Sequence, residues 1–333
     1  MKSLIVAASL LAAAACFAAE PAVHSITLPG ANPNGIAMDY IAYDANTHTV
    51  WVPGNTGAVD VIDSAGKVRQ VTGFPTKEVT VRDRKRVVGP SSISFGGGKA
   101  YVGNRADFTI CEVDPKALTR GRCSEALSSM PDGVAYVGET KEVWVTAPRE
   151  KTIHILDAAT LHEKAKLAYD GSPEGFAVDA KRHRFYTNLE DKDRTLAIDL
   201  TSHKTIATWN PACGEDGPHG LRVDQSTGEL FVACSAKVEV LDAAKDGAIL
   251  SSVDTGDGVD DFDYAPATHM IYVGAARAAK LTIARVDKGK LTTVSTVAVP
   301  AGSRNPAVAS DGTVYLAHGG GVVSSDIVVV APR

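Results

Sequence analysis

The chain has 333 residues, of which 44% are hydrophobic and 22% charged, a composition that can bury a sizeable core and excludes a disordered or fibrous protein. Its formal charge of -5 excludes a general affinity for nucleic-acid phosphates, and with 6% aromatic residues any base-stacking surface would have to be local. Thirty glycines, and no long run rich in Leu, Glu and Lys, point to turns and strands.

The first stretch differs from the rest. Met1-Lys2 is followed by SLIVAASLLAAAACFAA, one positive charge, an apolar run and then small residues. This is the pattern of a secretory signal peptide over residues 1–19, with cleavage between Ala15 and Glu20. AAAC at Cys16 loosely matches a lipidation motif, but Ala13 stands where Leu, Val or Ile is usual, so no lipid anchor is expected there. No later apolar run is long enough to span a bilayer. The expectation is a periplasmic or secreted protein, with a monomer the simplest state. Without Cys16 an even set remains, Cys111, Cys123, Cys213 and Cys234, which in an oxidising compartment reads as disulfides.

From VHSITLPG at 23–30 onward one pattern recurs. An apolar stretch follows a Gly or Pro turn, then comes an alternating strand, then a third strand often ending in Asp, then a turn and a fourth strand. The second strands are TVWVPGN at 49–55, AYVGNR at 100–105, VWVTAPR at 143–149, FYTNLED at 185–191, LFVACS at 230–235, IYVGAAR at 271–277 and VYLAHGG at 314–320. Equivalent starts at Gly35, Ser92, Gly133, Gly175, Gly220, Asp261 and Pro306 are spaced 57, 41, 42, 45, 41 and 45 residues apart. A period of 40–45 with four strands per unit predicts an all-β fold, a seven-bladed β-propeller over residues 20–333. The long first spacing holds an insertion, TKEVTVRDRKRVVG, at 76–89. The last unit is one strand short and the N-terminal strand belongs to no unit. Pairing the two closes the ring and hides the sheet edges.

With these repeats on the page, VGPSSISFGGGKAYVGNRADFTICEVD, MPDGVAYVGETKEVWVTAPREKTIHILD and FYTNLEDKDRTLAIDL resemble the YncE-like, YVTN-repeat β-propellers of bacteria. The likeness covers essentially the whole mature chain, although YVGN, YTNL and YVGA stand where YVTN is expected. It implies an exported seven-bladed propeller and names no reaction. One member type is associated with single-stranded DNA; more distant propellers include gluconolactonase-type metal hydrolases and streptogramin lyases.

In such a ring the loops entering each inner strand and those leaving each second strand open on one face. The starts of inner strands bring Asp132, Glu174, His219, Asp260, Asp261 and Arg304 to that face. The ends of second strands bring Arg105, Arg149, Asn188, Glu190, Arg277 and His318. Cys213 and Cys234 fall on this face within one blade, and Cys111 and Cys123 on neighbouring strands of another. The expected bridges are therefore 213–234 and 111–123. A Cys/His metal site at 213, 219 and 234 competes with the first bridge but lacks the paired spacing of zinc ligands.

His219, in PHG, either bonds a neighbouring loop or serves a ligand, a metal or acid–base chemistry as a candidate base. Glu174 and Asn188, completed by Asp260 or Asp261, would make a hard oxygen set suited to calcium or magnesium; otherwise these are solvated acidic turns. No other cofactor is implied. Arg105, Arg149, Arg277 and Arg304 would together favour a small anionic ligand, or else bridge to the acids beside them. The insertion, with five basic and two acidic residues, is the best sequence support for a nucleic-acid strand or anionic polymer, but it holds no aromatic for stacking, and a charged, solvated flap is the favoured reading. There is no GxSxG, Walker, Rossmann, HExxH or CxxCH motif. The leading expectation is a non-catalytic ligand- or partner-binding scaffold of the cell envelope. A metal-assisted hydrolase or lyase acting on an ester or lactone is the alternative, and single-stranded DNA binding the weaker one.

Overall fold

In the computed structural model, which describes residues 21–30, 33–81 and 84–332, the repeats form seven four-stranded antiparallel sheets and no α-helix among those residues. The protein is a seven-bladed β-propeller. The inner strands are Ala42–Asp44, Pro90–Gly96, Val134–Val137, Pro173–Asp179, Pro218–Asp224, Phe262–Ala265 and Ser303–Val308 in blades one to seven. Each begins a simple meander outward. In blade seven the fourth place is taken by Val23–Thr27, which pairs with Asp326–Val330 from Val23↔Val330 to Thr27↔Asp326. The signal-peptide reading at 1–19, with Cys16, lies outside the described residues. So do Arg82 and Asp83 of the insertion.

Local chemistry explains the meander. Third strands end in Asp because the carboxylate caps the following turn. Asp63 accepts from Ala65 N at 3.0 Å, Asp114 from Lys116 N at 2.8 Å, Asp157 from Ala159 N at 2.9 Å and Asp242 from Ala244 N at 2.9 Å. Second and third strands are buried along nearly their whole length, as in Glu142–Ala147 and Thr152–Asp157, since both of their faces meet a neighbouring blade. Outer strands keep one face in water, as in Glu163–Ala168.

The core is a ring of seven apolar clusters, each shared by two adjacent blades. Phe231 and Val240 of blade five meet Phe262 and Val273 of blade six. Val50 and Ile62 of blade one meet Tyr315 and Ile327 of blade seven, which completes the circle. A fully buried Leu, Ile or Phe contributes about 1.5–3 kcal/mol, so stability is spread around the ring. The insertion is a separate hairpin, Lys77–Val81 with Arg84–Val88, placed before blade two.

Both expected disulfides are present. Cys111–Cys123 joins directly paired residues of blade two, and Cys213–Cys234 ties the loop entering blade five to the end of its second strand. The Cys/His metal reading at 213, 219 and 234 is thereby corrected, because both sulfurs are bonded to each other. Disulfides fit an oxidising compartment. No helix among the described residues is long and apolar enough to cross a membrane.

Candidate functional site

Four inner strands begin with a bulge. The register shifts between Pro90 and Ser92, Pro173 and Phe176, Pro218 and Leu221, and Arg304 and Pro306. A bulge frees one residue from the ladder and re-aims its side chain, which here turns Glu174, His219 and Asn305 toward the axis. The glycine after Glu174 is required by crowding: a Cβ on Gly175 would overlap the His219 carbonyl and reach Gly220 Cα at 2.8 Å. Blades four and five can therefore close on each other, and Glu174 and His219 become neighbours. Gly217, at φ +70°, packs in the same way against the Glu190 backbone.

Most charged groups around the axis form a belt of ion pairs. Arg105 donates to Asp39 at 2.6 Å and to Asp132, which also accepts from the Tyr40 hydroxyl at 3.3 Å. Arg304 donates to Asp260, which accepts in addition from Asn305 Nδ2 at 2.9 Å. Arg222 grips Asp261 with both terminal nitrogens, at 3.1 and 2.8 Å, and stands 3.7 Å from Asp263. Burial works against the Arg105 and Arg304 guanidiniums, but the adjacent carboxylates outweigh it and raise both. Asp132 is raised by burial, which outweighs its pairing with Arg105.

These pairs revise the sequence reading. Asn188 and Asp261 were expected to join Glu174 and Asp260 around a cation. Instead Asn188 is fully buried, with Nδ2 donating to the carbonyls of His219 at 2.7 Å and Gly220 at 3.3 Å, and Oδ1 accepting from Thr195 at 2.7 Å. Its amide holds blade four against blade five. Asp261 is clasped by Arg222, and Asp260 by Arg304 and Asn305, so neither stands with Glu174 as a free oxygen donor.

The ring of four arginines separates in the same way. Arg105 and Arg304 are belt members. Arg277 lies out on the rim in a two-pronged pair with Asp257, both bonds 2.6 Å. His318 is also fully engaged: Nδ1 lies 2.8 Å from Asp326 and 2.9 Å from Ser324 Oγ, and Nε2 lies 3.0 Å from the Ala301 carbonyl. Arg149 alone of the predicted arginines is exposed and without an ion pair among the described residues.

Two features remain at the mouth. One is a cavity of about 260 Å³ whose wall includes Arg86 from the inserted hairpin, Arg149, Asp132, Glu174 and Glu190. The other is a triangle of Glu174, Glu190 and His219, in which one donor atom from each lies within 4.8 Å of the others. Glu190 follows the second strand of blade four, and its amide is tied to the Ser172 carbonyl at 3.0 Å. His219 Nδ1 is 3.4 Å from Glu190 Oε1, an ion-pair distance without hydrogen-bond alignment. Its Nε2 is 3.2 Å from Ser235 Oγ.

Electrostatics in the triangle are lopsided. Burial, followed by the Glu190 carboxyl and Asp132, pushes Glu174 well above the usual carboxylate range. His219 holds Glu190 below it. Burial opposes the imidazolium, but Glu190 and Asp260 outweigh this and raise His219. Glu190 was visible in the sequence as one polar end of a second strand. Its role as Glu174's partner was not, because the two meet at the open end of a hairpin, where Pro173 pairs with Leu189, through a bulge that cannot be read from one strand.

A second cavity, about 570 Å³, opens on the other face between inner strands and is walled by Tyr40, Phe95, Phe176, Arg222 and Tyr264.

No family model and no curated protein sequence matches the chain. Among solved structures it is similar to a chain of the mitotic checkpoint complex, with a TM-score of 0.72 and 15% identity over 100% of both chains. It is also similar to hydrazine synthase of Kuenenia stuttgartiensis, with a TM-score of 0.72 and 13% identity over 92% of this chain and 98% of that one. At such identities the likeness is one of fold.

Proposed function

We propose that the protein is an exported, YncE-like binding propeller that acts without catalysis and engages a small anionic ligand, or an anionic group on an envelope partner, at the channel mouth. One observation carries this reading. Arg86 and Arg149 both face the 260 Å³ mouth cavity and have no ion pair among the described residues, whereas Arg105, Arg222, Arg277 and Arg304 are all matched to carboxylates. A guanidinium left unmatched at a concave surface is a ready donor for a carboxylate or phosphate. The inserted hairpin fits this role, since it adds Arg86 to a wall otherwise built by the repeats.

Titration calorimetry with succinate and with inorganic phosphate tests the proposal. At least one should bind, with Arg149→Ala costing about tenfold in affinity, which corresponds to losing one charge-assisted contact of about 1.4 kcal/mol. Wild-type protein that binds neither anion, or an Arg149→Ala variant that binds both as wild type does, sinks the reading. The DNA reading has weaker support, because the hairpin's only distinguishing feature is charge. It lacks an aromatic for stacking.

A further inference from the structure

We propose that Glu174, Glu190 and His219 bind a divalent transition-metal ion, of which zinc is the representative, with its open coordination positions directed into the mouth cavity.

Two carboxylates and an imidazole are the mixed oxygen–nitrogen donor set that zinc takes, and three protein ligands are the number found where a metal keeps a position for an exogenous group. The nitrogen separates this set from the all-oxygen shells of calcium and magnesium. A cluster of acids alone would say little. Here two atoms of the triangle, Glu174 Oε2 and His219 Nδ1, are shut off from solvent and have no hydrogen-bond partner. Buried polar atoms without partners cost about 1–3 kcal/mol each and are rarely left so. Glu174 and His219, on different blades, each carry one such atom, and a ligand atom of each residue lies within 4.8 Å of one from the other and of one from Glu190, so one shared cation is a common explanation.

The surroundings fit as well. Ser235 Oγ lies 3.2 Å from Nε2 of His219, the ring nitrogen remote from the triangle. A metal-bound histidine usually has its second nitrogen held in this way, which fixes ring orientation and leaves Nδ1 for the metal. The belt is also short of positive charge: the guanidiniums of Arg105, Arg222 and Arg304 are shared among Asp39, Asp132, Asp260, Asp261 and Asp263, and none of them pairs with Glu174 or Glu190. Access is open, because the Glu190 side chain is 40% exposed while His219 is 15% exposed. The ion would enter past Glu190 and settle against His219. An anion held by Arg149 would then lie in the cavity that Glu174 and Glu190 also line; that last step rests on the reading of the mouth given above, whereas the metal site does not.

The test uses mature, disulfide-bonded protein stripped with a chelator and then titrated with zinc alone against a chromophoric zinc chelator. One equivalent should bind with a dissociation constant of micromolar or tighter. Glu174→Gln and His219→Ala should each weaken it by on the order of 100-fold or more, and Ser235→Ala by about 10–100-fold through ring orientation. Arg149→Ala should lower anion affinity without weakening zinc binding, since it removes a like charge from the zinc's cavity, so the two readings fail separately. Circular dichroism and melting temperature identify any variant that does not fold, and Glu174→Gln, which keeps shape and volume, stands in if His219→Ala is lost. Absence of binding at 1:1 stoichiometry, or binding that survives both Glu174→Gln and His219→Ala undiminished, overturns the proposal.

Discussion

Two sectors of the channel mouth are built from equivalent positions and end up as opposites. Where blades one, two, six and seven face one another, Arg105 and Arg304 meet Asp39, Asp132 and Asp260, and Asn305 supplies further donors. Where blades four and five meet, the same bulged strand starts present Glu174 and His219 with Glu190 beside them, and two buried atoms go unmatched. The first sector is paired throughout by ion bridges, although Arg304 Nε there is also buried without a hydrogen-bond partner. In the second, His219 is the one cationic partner of Glu190, and no arginine or lysine pairs with Glu174 or Glu190 among the described residues. Repetition supplies seven similar openings, and the residue at each bulge decides whether that opening braces the ring or receives a ligand.

The largest expected effect comes from breaking the paired sector. Replacing Arg105 with Ala leaves Asp132 without a cation in a mostly buried site, and Asp39 with only Arg304, 3.8 Å away. Breaking one partner of a buried pair costs about 3–5 kcal/mol, far more than the pair contributes over an apolar replacement. Denaturant unfolding of Arg105→Ala should show a loss of this size. A loss below about 1 kcal/mol would mean that the belt is solvated and that the contrast between sectors is wrong.

The two disulfides sharpen the comparison, since they close similar loops in different places, with sequence separations of 12 and 21. Either one replaced by a pair of serines should cost about 3 kcal/mol. Only the Cys213–Cys234 bridge holds the loop that leads through Gly217 and Pro218 to His219. That loop is otherwise pinned by Asp193, which accepts from Cys213 N at 3.0 Å and Gly214 N at 2.9 Å. Removing Cys213–Cys234 should therefore weaken zinc binding as well as stability, whereas removing Cys111–Cys123 should lower stability alone. Equal effects on zinc would show that the staple does not position the site.

How much of this was legible in the sequence follows from what each feature depends on. The blades could be read because each second strand is a local pattern repeated seven times, and five third strands lead into an Asp that caps its own turn. The disulfides followed from blade position. The pairing inside the mouth did not, because it is settled by bulges and by which side chain reaches first. Asn188 reads as a polar strand end facing the channel, yet its amide is captured by the backbone of the next blade. Asp261 reads as a free acid, yet Arg222, 39 residues away in another blade, takes both its oxygens. Such competition is decided between blades, where no repeat carries a signal.

A buried carboxyl elsewhere provides the control that separates site from accident. Asp60, in the third strand of blade one, is fully buried, with Oδ1 accepting from Gln70 Nε2 at 2.8 Å and Oδ2 unmatched. Unlike Glu174, it belongs to no metal-ligand cluster among the described residues. Burial raises it to about 6, with the Gln70 hydrogen bond opposing. An acid whose folded-state value lies above its unfolded one binds more protons when folded, so it favours folding at low pH and this contribution is lost as pH rises from about 4 through about 6. A shift of roughly two units corresponds to about 3 kcal/mol across that window. Asp60→Asn keeps the Gln70 partner and places an amide at the orphan position, so the net gain at pH 7 should be nearer 1 kcal/mol, with no gain at pH 4. Unfolding curves at the two pH values measure this, with zinc present and absent. Zinc should make no difference to Asp60→Asn relative to wild type. If it did, an unmatched carboxylate oxygen alone would be enough to sense the metal, and the orphan atoms of Glu174 and His219 would lose their standing as evidence for a site.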